Sequence, residues 1–126
     1  MRLLLALWAI AASLAAQDPA PDIPALLKAG NESYLRGDYE AARQSLLKAW
    51  EMAQQTPPSN PQRYDILKRL TSVRAAASEF ADADNFLQMA INWRETILGV
   101  NDPKVADDLL VSVGLCRGMK NFDRAL

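Results

Sequence analysis

The 126-residue chain contains no histidine. Ser-His-Asp and Cys-His catalysis are thereby excluded, as is nearly every zinc site not built from several cysteines. Its one thiol, Cys116, has no partner for an internal disulfide. Lying at helical spacing with Leu109 and Val113, it is expected as a small buried hydrophobe rather than a reactive nucleophile. Two carboxylate pairs, Asp82/Asp84 and Asp107/Asp108, have the residue type for general acid–base work. Both fall where first turns of helices are expected, and negative charge is favoured there by the helix dipole. No glycine-rich phosphate loop follows a strand, because no strand pattern is visible. Asn31-Glu32-Ser33 spells a glycosylation sequon, but inside an expected helix. The expectation is a protein with no catalytic residue, no cofactor and no metal.

Charge narrows the partners further. Fourteen basic residues stand against fifteen acidic ones, a formal net charge of −1. A near-neutral chain has no electrostatic basis for gripping a polyanion, so nucleic acid is not an expected partner. Half the residues are hydrophobic and 23% are charged, the balance of a folded chain rather than a disordered one.

The first sixteen residues carry Arg2, then an apolar run, then small residues, the pattern of a secretory signal peptide. The run is shorter than the ~20 residues a membrane-spanning helix needs. Ser13 and Ala15 fit the small-x-small rule, so cleavage is expected after Ala15 or Ala16, giving a periplasmic or secreted protein without stable membrane insertion. Residues 17–22, with Pro19 and Pro21, read as a linker.

Helical periodicity governs the rest. Helices are expected over Ile23–Leu35, Tyr39 to about Gln55, from Asn60-Pro61 to about Ser78, Phe80–Leu98, and from Pro103 to about Arg117. Gly37 can close a helix in the left-handed conformation, and Asp38 can cap the next. Asn60-Pro61 and Asp102-Pro103 are start signals, and Thr56-Pro57-Pro58 is a stop. On the fourth helix, Phe86, Met89, Ala90, Trp93 and Ile97 form a stripe expected in the core. A turn at Gly118–Asn121 should precede a sixth helix beginning at Phe122.

The order recurs. Tyr39, Ala42, Leu46 and Ala49 reappear 41 residues later as Phe80, Ala83, Leu87 and Ala90, and Phe122 and Ala125 follow Phe80 and Ala83 by 42. With Leu26, Gly30, Ala42, Leu46 and the Gly37-Asp38-Tyr39 turn, this pattern resembles the tetratricopeptide repeat. The longer period and the Arg94–Ala106 link are similar to the kinesin-light-chain-like subgroup. The resemblance implies an all-α fold, a right-handed solenoid of hairpins over 23–55, 61–98 and an incomplete 103–126.

It also implies a concave groove lined by the first helix of each hairpin, receiving a protein or peptide. Carried over by position, the groove residues are Leu27, Asn31, Tyr34 and Leu35, then Asp65, Lys68, Ser72 and Ala75, then Asp107, Leu110, Gly114 and Arg117. Leu27, Asn31, Tyr34, Lys68, Ser72 and Arg117 are the candidate peptide contacts. The function implied is that of an exported, non-enzymatic scaffold. The alternative is the regulatory front end of a larger secreted enzyme, such as a protease, continuing past Leu126. An incomplete third hairpin should leave Leu109, Val113 and Cys116 partly uncovered and favour self-association.

Overall fold

Aspartates and left-handed residues set the helix boundaries. The computed structural model describes residues 22–125, with side chains as far as Lys120. The expected signal peptide and most of the linker lie outside these residues. Asp22 accepts from the Ala25 amide at 2.9 Å and opens α1, Ile23–Leu35. Asp38 accepts from the Ala41 amide at 3.1 Å and opens α2, Tyr39–Ala53. Each carboxylate satisfies one of the amides a helix start leaves without a partner. Asn60 does the same for Gln62 at 3.0 Å, ahead of α3, Gln62–Ala76, and Asp102 for Lys104 at 2.9 Å, ahead of α5, Pro103–Ala125. Between them lies α4, Phe80–Leu98, closed by Gly99 at φ 92°. Every regular element among the described residues is a helix, and none is a strand.

The two hairpin turns are copies. Gly37 donates to the Tyr34 carbonyl at 3.0 Å and Asp38 to that of Ser33 at 2.9 Å. Forty-one residues on, Ser78 donates to Ala75 at 3.0 Å and Glu79 to Arg74 at 2.8 Å. This is the paired closure of a helix by one left-handed residue. Gly37 holds φ 77° without a side chain to clash, whereas Ser78 holds φ 62° and carries the strain of that region. α3 therefore ends two residues before Ser78 rather than running to it.

Packing repeats as the turns do. Ala42, Leu46 and Ala49 of α2 are buried, and so are Ala83, Leu87 and Ala90 of α4. The first core joins Ile23 and Leu26 of α1 to the α2 stripe and to Ile66, Leu70 and Val73 of α3. The second joins Ala83, Leu87 and Ile91 of α4 to Val105 and Leu115 of α5. Neighbouring helices thus stack in chain order, each packed on the next.

Three expectations need correction. Met89 and Ile97 are exposed and Phe86 and Trp93 half-buried. α4 carries two apolar stripes, and the one with small residues admits close helix approach and takes the core. Cys116 is exposed, because the face it shares with Leu109 and Val113 has no described neighbour packed on it. Finally, no turn interrupts Gly118–Asn121, and the helix continues to Ala125. Nothing there forbids helix, and Gly118 lies so close to Phe80 that an added Cβ would stand 3.2 Å from the ring.

Candidate partner-binding surface and the buried carboxylate beside it

Helices α1 and α3, which open the two hairpins, and α5, which follows them, carry the candidate residues. Leu26, Gly30 and Ser33 turn the buried side of α1 inward, which leaves Asn31 exposed and Leu27 and Tyr34 half-buried. Asn31 and Tyr34 open onto a hollow whose other walls are Leu46 of α2 and Arg69 and Val73 of α3. The α3 cation at this hollow is Arg69, held by Asp65 at 3.2 Å, and not Lys68. Tyr34 is braced by Tyr39, with ring centres 5.8 Å apart. The hollow is shallow, about 50 Å³, with an apolar base, an amide, a phenol and a guanidinium, groups that can hydrogen-bond a peptide backbone passing over it.

Lys68 faces α5 instead. Its ammonium lies 3.1 Å from Asp108, a carboxylate only 2% exposed. Asp108 also accepts from Arg94 at 3.0 Å and from the Tyr64 hydroxyl at 2.9 and 3.1 Å. Arg94 stacks 3.7 Å above the Tyr64 ring and donates to the Lys104 carbonyl at 2.9 Å. One buried anion therefore ties α3, α4 and α5 together, with two cations and a phenol satisfying its oxygens. Sequence reasoning placed Asp107 and Asp108 in a first turn, but that turn is Pro103–Ala106. The missed signal was the repeat itself: a shift of 42 puts Asp108 where α3 has buried Ile66.

Burial, reinforced by the hydrogen bonds to Asp108, pushes the Tyr64 hydroxyl far above its ordinary range, against a smaller opposing effect of Arg94. The folded state therefore holds this proton more tightly than the unfolded chain. Its stabilisation is complete below the unfolded value of about 10 and is lost as pH rises above it. Urea midpoints at pH ~9 and ~11 should fall more for the parent chain than for Tyr64→Phe. Equal falls would remove Tyr64 from the cluster.

Ser72 is exposed and donates to the Lys68 carbonyl at 3.2 Å. Arg117 is exposed and stands nine residues from Asp108, half a turn round α5 from the carboxylate that holds Lys68. The structure thus gathers Leu27, Asn31 and Tyr34 on α1 and sets Lys68 toward α5, with Arg117 on the opposite side of that helix. The carboxylate pairs are split as well. Asp82 pairs with Arg74 at 2.7 Å, while Asp84 accepts from Ser112 at 2.8 Å. Asp107 is exposed beside buried Asp108. Among the described residues no group of three His, Cys, Asp or Glu side chains could hold a metal, and no helix is long and apolar enough to cross a membrane.

A second, open cavity of about 290 Å³ is lined by Trp50, Trp93, Leu67, Met89 and Ile97, among others. Trp93 is fixed there by its indole N–H, which donates to the Pro58 carbonyl at 2.8 Å, and by Tyr64, 5.9 Å away. Compared with family models, curated proteins and solved structures, the chain matches none of them.

Proposed function

We propose that this protein is an exported, non-enzymatic scaffold of tetratricopeptide-like hairpins that holds an extended peptide against the first helices of its repeats. The observation that carries this reading is the hollow between α1 and α3, where Asn31, Tyr34 and Arg69 surround an apolar base of Leu46 and Val73. Two consecutive hairpins with matching turns and matching buried stripes support a right-handed solenoid, in which such hollows recur between neighbouring first helices. Asn31 offers a donor and an acceptor at once, the requirement for holding a peptide backbone.

The test is selection of binders from a random peptide library, followed by mapping on the isotope-labelled chain. Perturbed resonances should cluster on α1 and α3. Asn31→Ala should weaken binding about 2- to 13-fold, one hydrogen bond's net worth of roughly 0.5–1.5 kcal/mol. Binders mapping to the Trp50–Trp93 cavity would overturn the assignment.

Export rests on Arg2, the apolar run and Ser13-x-Ala15. Expressed in a cell with signal peptidase, the chain should leave the cytoplasm lacking its first 15 or 16 residues. Mass spectrometry of an exported form that retains Met1 would contradict this.

A further inference from the structure

The face of α5 directly opposite its buried side is unusually apolar. Val105, Asp108 and Leu115 turn toward the rest of the molecule. Leu110 points the other way and is 69% exposed, with Val113 at 48% and Leu109 at 47% beside it. A contiguous apolar surface of this kind marks an interaction site rather than scattered exposure. Along the same stripe run Asp107, Leu110, Gly114 and Arg117, spaced three, four and three residues apart. That spacing keeps all four on one side of a helix.

The stripe is complementary to itself when reversed. Asp107 and Arg117 are equidistant from Ser112, as are Leu110 and Gly114. Within one helix the two charges are about 15 Å apart and do not meet. In a second helix laid antiparallel, each Asp107 comes opposite an Arg117, and each Leu110 comes opposite a Gly114. Among the described residues a Cβ added at Gly114 would have nothing within 4 Å, so the glycine leaves a notch for an incoming leucine. We propose that α5 is a homodimerisation helix, through which two copies of the chain pack antiparallel about a two-fold axis at the level of Ser112. The leucine-in-notch contacts supply the apolar area, and the two symmetric ion pairs fix the direction and register. Such a dimer gives the four α5 positions of the expected groove to a second copy of the chain, and leaves the hollow between α1 and α3 free for a peptide.

Equilibrium sedimentation of the full chain tests it with a charge-swap series. The parent chain should sediment at twice the monomer mass at micromolar concentration. Asp107→Arg alone and Arg117→Asp alone each place like charges opposite one another and should weaken dimerisation by about tenfold or more. The double variant Asp107→Arg/Arg117→Asp should restore it. All four residues are exposed, so each variant should keep its helix content, which circular dichroism checks. Gly114→Leu fills the notch and should also give monomer. A parent chain that is monomeric, as when another segment or a different partner covers this face, overturns the proposal. So does a double variant that fails to recover, or a mass above the dimer.

Discussion

Replacing Asp108 with alanine should lower the free energy of unfolding by about 3 kcal/mol, the effect of breaking a buried ion cluster from its centre. Asp108 is almost completely buried and receives Tyr64, Lys68 and Arg94. Without it, two cations and a phenol hydroxyl lose their acceptor at once. The cost sits at the low end of the range for buried pairs because the Lys68 and Arg94 side chains keep 29% and 18% exposure and can turn toward water. Lys68→Met should cost only about 1 kcal/mol, since Arg94 and Tyr64 still satisfy the carboxylate. Urea denaturation measures both. An Asp108→Ala loss under about 1 kcal/mol would mean that the cluster does not hold α5 in place.

A second large effect is expected at the crossing of α1 and α2. A Cβ built on Gly30 would stand 3.1 Å from Leu46 and 3.6 Å from the Ala42 carbonyl, so the two backbones approach as closely as side chains permit. Ala42 is fully buried in that crossing. Leucine there must push the helices apart, at a cost of about 2 kcal/mol and roughly 10 °C in melting midpoint. Ala41→Leu, one position round the helix and half-buried, should cost less than about 0.5 kcal/mol. Thermal denaturation of the two variants separates the outcomes, and equal losses would place the α1–α2 contact elsewhere on α2.

What was legible in the sequence was local chemistry. Asp38 as a cap, Gly37 as a left-handed closer, Asn60-Pro61 and Asp102-Pro103 as start signals, and the 41-residue recurrence of Ala42-Leu46-Ala49 all act within a few residues or repeat in order. α1 and α4 therefore came out with the ends expected of them. What was hidden depends on neighbours. Ser78 adopts the conformation of Gly37 because the hairpin demands it, though its side chain opposes it. Asp108 reads as surface by its residue type, since only the arrival of Lys68 and Arg94 makes its burial tolerable. The stripe through Met89 and Ile97 has helical spacing as good as that of Ala83 and Leu87, and packing alone chose between them. Of the candidate surface, Asn31 and Tyr34 were legible through the resemblance, whereas Arg69 was displaced in the reading by its neighbour Lys68.

The row of first helices, with α3 seated between α1 on one side and α5 on the other, is the central claim. Nuclear Overhauser cross-peaks in the methyl- and aromatic-labelled chain test it most directly. Tyr34 should show contacts to Leu46 and Val73, and the Tyr64 ring should show contacts to the side chains around Asp108 on α5 in the same sample. A Tyr34 ring with contacts confined to its own hairpin, or a Tyr64 ring with none to α5, would contradict the row and the peptide-binding surface built on it.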